Sequence, residues 1–335
     1  MDNSLLWVLS LTLLALIFDF YNGANDAANS ISTIVATKVL KPWQAVLWAA
    51  FFNFIALILV GTAVAKTIGK GIIDINIVDN YVIFGTLIGA AGWTAFATYN
   101  GLPISASHSL IGGLIGSAIA KAGNDAVVYS GLYKVLIFII LSPLIGMILG
   151  IGMLILIYNI FKNYHPNKIE HLFRKGQLLS SALYSIGHGG NDAQKTAGII
   201  TMLLYSNGYL KYDGGEFIIP FWVIFISHLT IALGTLAGGW KVVNTLGHKL
   251  TKLKPVDGFA AETAAAITLH TVTHFGIPVS TTHTITGAIM GAGSAKRIYS
   301  VKWSISKNII QAWIFTIPIS AIISATSYIL IKKVF

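Results

Sequence analysis

Two stretches place acids and amides inside apolar sequence. NGANDAANS (22–30) and HGGNDAQKT (188–196) share an Asn-Asp pair, which sets Asp26 over Asp192 and Asn25 over Asn191. A charge in a bilayer centre costs a few kcal/mol, so it persists where it faces a cavity, a partner or an ion. Carboxylate, amide and unwound backbone oxygens at mid-depth form a hard-oxygen cation site. That chemistry points to Asp26, Asp192, Asn22 and Asn191. Gly and Asn are weak helix formers, so the spacing predicts a helix interrupted near 22–26. The competing reading is a polar helix–helix seam with small residues for close packing.

A second pair reads GLPISASHS (101–109) and GIPVSTTHT (276–284). Here Pro103 aligns with Pro278, Ser105 with Ser280, Ser107 with Thr282 and His108 with His283. Proline suits the first turn of a helix. Ser105, Ser107, Thr281 and Thr282 then gather at a helix start, where free N–H groups and the positive dipole end favour an oxyanion. The competing reading is plain helix capping. His108 and His283 fit a structural role as well as a ligand role. Gln194 and Asn25, the amides beside the acids, are further candidates for the anion. Lys195 either adds positive charge for that anion or pairs with Asp192.

These residues need membrane helices to hold them. Of 335 residues, 55% are hydrophobic and only 10% charged, against about 25% charged in soluble domains. Ten apolar segments stand out: about 5–38, 43–66, 80–98, 103–121 and 131–158, then 177–205, 217–240, 258–275, 277–296 and 305–331. Helix is expected for each, because lipid offers backbone groups no partner, and a closed barrel would need shorter alternating segments. The expected fold is an all-α polytopic membrane protein. Its units are a first repeat at 1–158, a cytoplasmic linker at 159–177 and a second repeat at 178–335. Five segments per repeat imply inverted topology, and the short 103–121 and 277–296 fit re-entrant hairpins. The N-terminus lacks a basic signal-peptide region and is expected to start the first span. With the N-terminus outside, fourteen loop Lys and Arg fall on the side of 159–177 and seven on the other; cytoplasmic loops carry such an excess. The net charge of +10 is therefore a topology signal. Basic residues scattered over short loops do not suit nucleic acid. There is no cysteine, hence no disulfide or thiolate site.

The paired GANDAANS and GGNDAQKT motifs, the two G-[LI]-P-[IV]-S-x-[ST]-H hairpins and GIIDIN (71–76) resemble the inorganic phosphate transporter (PiT) family, cation-coupled phosphate symporters. The resemblance implies inverted repeats, a central phosphate site and a homodimer in the plasma membrane. It makes Asp26 and Asp192 sodium-site carboxylates, gives phosphate to Ser105, Ser107, Thr281 and Thr282, and marks Glu262 as a functional acid for the cation. Asn53 is read as the first-half counterpart of Glu262, standing where many members have an acid. No cofactor is expected beyond transported sodium, or protons, and phosphate; another oxyanion such as sulfate is the competing cargo. An intramembrane aspartyl protease would need two acids sharing a proton and leaves the Ser/Thr clusters without a role. A channel leaves the duplicated motifs unexplained.

Overall fold

The computed structural model describes residues 3–210 and 217–334. Lys211, which enters the charge comparison, lies outside the described residues. Among the described residues, twelve α-helices form two sets of six. The first set is α1 (Asn3–Ala36), α2 (Pro42–Leu59), α3 (Ala63–Gly71), α4 (Asn80–Asn100), α5 (Ala106–Ala122) and α6 (Tyr129–Phe161). The second is α7 (Pro166–Ser206), α8 (Phe221–Ala237), α9 (Trp240–Asn244), α10 (Pro255–His274), α11 (Thr281–Ser294) and α12 (Trp303–Val334). Prolines open α2, α7 and α10, where the missing N–H is harmless. Gly101, in the left-handed region at φ 69°, closes α4.

Two expectations change. Segment 43–66 divides between α2 and the short α3, and segment 217–240 ends with α8, the short α9 starting at its last residue. The breaks fall there, with a 65° bend between α8 and the 240–249 stretch, and not at the Asn-Asp motifs. α1 runs unbroken for 34 residues, about 51 Å, and α7 for 41. The motif glycines serve close approach instead. A Cβ on Gly23 would sit 2.3 Å from the Ile231 carbonyl oxygen of α8, and one on Gly189 2.4 Å from that of Asn53 on α2. Tight packing at small residues offsets the weak helix propensity of Gly and Asn.

Among the described residues, five helices are long and apolar enough to cross a membrane, or six with the bent pair. Leu136, Ile140, Ile148, Ile314 and Ile322 on α6 and α12 are exposed, as lipid-facing residues should be. α5 and α11, with 17 and 14 residues, extend only about 26 and 21 Å, short of the roughly 30 Å hydrocarbon core. Both are buried along nearly their whole length, and their starts meet: the His108 and His283 rings lie 4.7 Å apart.

Contacts between α1 and α7 run in opposite senses. Asp19 meets Thr196, Asp26 meets His188, Thr37 meets Gln177, and the Lys38 carbonyl meets Arg174. The two equivalent helices are thus antiparallel. The hairpins are exchanged between halves: α4 and α5 pack on α12, while α10 and α11 pack on α6. Gly116 of α5 rides on the Ala321 backbone, and Gly287 of α11 on that of Pro143. Two apolar clusters result. One takes α1 up to Phe18 together with α4 and α5, the other takes α1 from Ala28 together with α10 and α11. Between them lies a buried polar layer.

Candidate functional site

α1 and α7 bring Asp26 and Asp192 face to face in that layer, both essentially sealed from solvent. Thr281, in the first turn of α11, bridges them: its hydroxyl lies 3.2 Å from Asp26 Oδ2 and 3.1 Å from Asp192 Oδ2. Thr282 donates to Asp26 Oδ1 at 3.1 Å and accepts from the Asn29 amide at 2.9 Å. A hydroxyl carries one hydrogen, so Thr281 satisfies only one of its two carboxylates at a time.

His188 completes a three-residue cluster with Asp26 and Asp192, their ligand atoms all within 4.8 Å of one another. Its Nδ1 lies 3.0 Å from Asn53 Oδ1, and the Asn53 amide donates to Thr235 at 2.9 Å. With the Asn53 oxygen assigned as acceptor, Nδ1 carries the hydrogen. Nε2 then faces Asp192 Oδ2 at 3.4 Å and Asp26 Oδ2 at 3.7 Å. A lone pair aimed at two carboxylates needs a proton or a cation between them.

Lys195 of α7 is buried with 1% exposure. Its ammonium donates to Asp192 Oδ1 and Ser107 Oγ, and to the Val279 carbonyl at 3.0 Å. Ser107 also donates to Val279 at 3.2 Å. The first turns of α5 and α11, with Ser107, Thr281 and Thr282, therefore border the same layer as the acids.

Other sequence candidates sit at its edges. The Asn25 amide donates to Thr98 (3.0 Å) and the Leu102 carbonyl (3.4 Å); the Asn191 amide donates to Thr273 (2.9 Å) and the Ile277 carbonyl (3.4 Å). Each ties a motif to the loop ahead of a hairpin helix, and each leaves its own Oδ1 without a donor. The Oδ1 atoms of Asn22 and Asn29 are likewise buried without a donor. Ser105 caps α5 through the His108 amide at 3.2 Å, as Ser280 caps α11. Gln194 accepts from the Val64 and Ala65 amides at the start of α3.

Glu262 of α10 lies apart. It accepts from Gln177 at 2.9 Å and from Thr33 and Ser180, and shares no hydrogen bond or ion pair with Asp26 or Asp192 among the described residues. Ser180 precedes Asp192 by twelve helical residues, about 18 Å along α7. Asn53 is not its counterpart. Gly23 meets Ile231 where Gly189 meets Asn53, so Asn53 corresponds to Ile231. Thr98 and Thr273, absent from the sequence candidates, were findable: each lies five residues ahead of a hairpin proline, at the repeat spacing. Gln177 and Ser180 left no such signal.

The phosphate transporter family model matches residues 22–324. This chain belongs to that family. It is a transporter of phosphate, multi-pass in the membrane, and not an enzyme. A Rhizobium meliloti (strain 1021) protein named "Probable low-affinity inorganic phosphate transporter" is 52% identical, covering 98% of each chain. A Bacillus subtilis (strain 168) protein of the same name is 40% identical over both full lengths. A solved structure titled "The sodium-dependent phosphate transporter" superposes with a TM-score of 0.90 at 26% identity, covering 98% of this chain and 100% of its own.

Proposed function

We propose that this phosphate transporter is a sodium-coupled symporter of the plasma membrane, with inverted repeats, the N-terminus outside and residues 159–177 in the cytoplasm. The observation that carries it is the set of donor-free oxygens in the two Asn-Asp motifs: Oδ1 of Asn22, Asn25, Asn29 and Asn191, beside two carboxylates bridged by one hydroxyl hydrogen. An unsatisfied buried oxygen costs about 1–3 kcal/mol, and a hard cation with oxygen preference removes that cost. The antiparallel α1 and α7 support the inversion. The sodium dependence named for the superposed structure agrees with the choice of ion.

Coupling follows from hydrogen counting. Phosphate carries one to two negative charges near neutral pH and is repelled by Asp26 and Asp192. Sodium between the carboxylates takes over the role of the Thr281 and Thr282 hydroxyls. Those hydrogens then turn to phosphate, together with Ser107 and the free N–H groups at the starts of α5 and α11. Ser105, Gln194 and Asn25 position the hairpins and α3 around this space. Proton coupling is the second reading, favoured by His188 Nε2 lying between the two carboxylates. Radiolabelled phosphate uptake into proteoliposomes separates the two. A sodium gradient should drive it; equal uptake from a pH gradient in sodium-free buffer overturns sodium coupling.

A further inference from the structure

The repeat that sets Asp26 over Asp192 also sets Asn29 over Lys195 and Asn22 over His188. The contacts follow the same correspondence. Asn29 donates to Thr282 Oγ1; Lys195 donates to Ser107 Oγ, and Ser107 is the counterpart of Thr282. An ammonium has three hydrogens, and all three have oxygen partners: a carboxylate of Asp192, a hydroxyl of Ser107 and a carbonyl of Val279. Those are the ligand types a sodium ion takes. The first half offers amide oxygens of Asn22 and Asn29 without donors. The second half has lost both, to an imidazole and to a side chain that brings its own charge.

We propose that the Lys195 ammonium is a tethered cation that fills the second of two equivalent cation sites, so that only the first, at Asp26, Asn29 and Thr282, exchanges a cation during transport. This rests on the cation-coupled reading above. The duplicated fold then moves one cation fewer per phosphate than its symmetry suggests. Lys195 also neutralises Asp192 next to the phosphate space without leaving it.

The test is sodium-22 binding to purified full-length protein in detergent, wild type against Lys195→Asn, which copies Asn29. The variant is expected to bind one more sodium per chain. Its melting temperature should rise more steeply with sodium, and its sodium-to-phosphate flux ratio in proteoliposomes should rise by one. Wild type that binds no sodium removes the sodium reading, whereas a gain of one site in the variant over wild type upholds the tethered cation by itself. Unchanged sodium binding with weakened phosphate affinity assigns Lys195 to the anion and overturns the proposal. Lys195→Gln guards against a folding defect peculiar to Asn. Failure of both amide variants to fold even in molar sodium also overturns it, because a free cation should then have replaced the ammonium.

Discussion

Single hydrogens decide much of the chemistry here. Thr281 has one, shared between Asp26 and Asp192. Thr281→Val keeps the shape and removes it. Once sodium frees it, that hydrogen turns to phosphate, and a hydrogen bond to a charged group contributes about 1.5–3 kcal/mol, so the variant should need about tenfold or more phosphate for half-maximal uptake. Glu262→Gln keeps one acceptor oxygen for the Thr33 and Gln177 donors and turns amide hydrogens toward the Ser180 donor. It should lower stability by about 1–3 kcal/mol, seen as a lower melting temperature in detergent. Its sodium dependence should stay close to wild type; a large shift would return Glu262 to the cation site. Asp26, Asp192 and the hairpin hydroxyls were legible in the sequence because polar residues in apolar segments stand out. Glu262 joined to Thr33, and Asn53 to His188, were not, since those partners lie 229 and 135 residues apart and no periodicity links them.

Among the elements, glycines set how closely helices pack. A Cβ on Gly287 would fall 2.1 Å from the Pro143 carbonyl oxygen and 2.7 Å from the carbon behind it. Backbone at that distance does not yield, so Gly287→Ala should force α11 off α6 and lower the melting temperature sharply. Gly92 of α4 has nothing within 4 Å of its Cβ position; there alanine should be neutral or stabilising by about 0.5–1 kcal/mol. Equal melting temperatures for the two variants would contradict this packing. The sequence reading placed most long helices within a few residues, because twenty apolar residues in a row leave few alternatives. It missed α3 and α9, of nine and five residues, which merge into the hydropathy of their neighbours. It also placed a break near 22–26, where the close approach of Gly23 to α8 overrode local propensity.

For the whole molecule, orientation in the membrane can be read with one added thiol, since the chain has no cysteine. Lys168→Cys should resist an impermeant maleimide in intact cells and react once they are opened. Labelling from outside would invert the proposed topology. The exchanged hairpins bear on how the chain is made. α4 and α5 have their partner in α12, which leaves the ribosome after the other eleven described helices. A short buried helix such as α5 has no complete surface to settle on until α12 is made, so the first half must wait, unfinished, in the translocation machinery or against lipid. The reverse holds for α11, whose partner α6 is already in place. A gene cut between residues 164 and 165 should therefore yield two fragments that are each degraded when made alone. Made together, they should restore phosphate uptake, because the exchange welds the halves without needing the peptide bond.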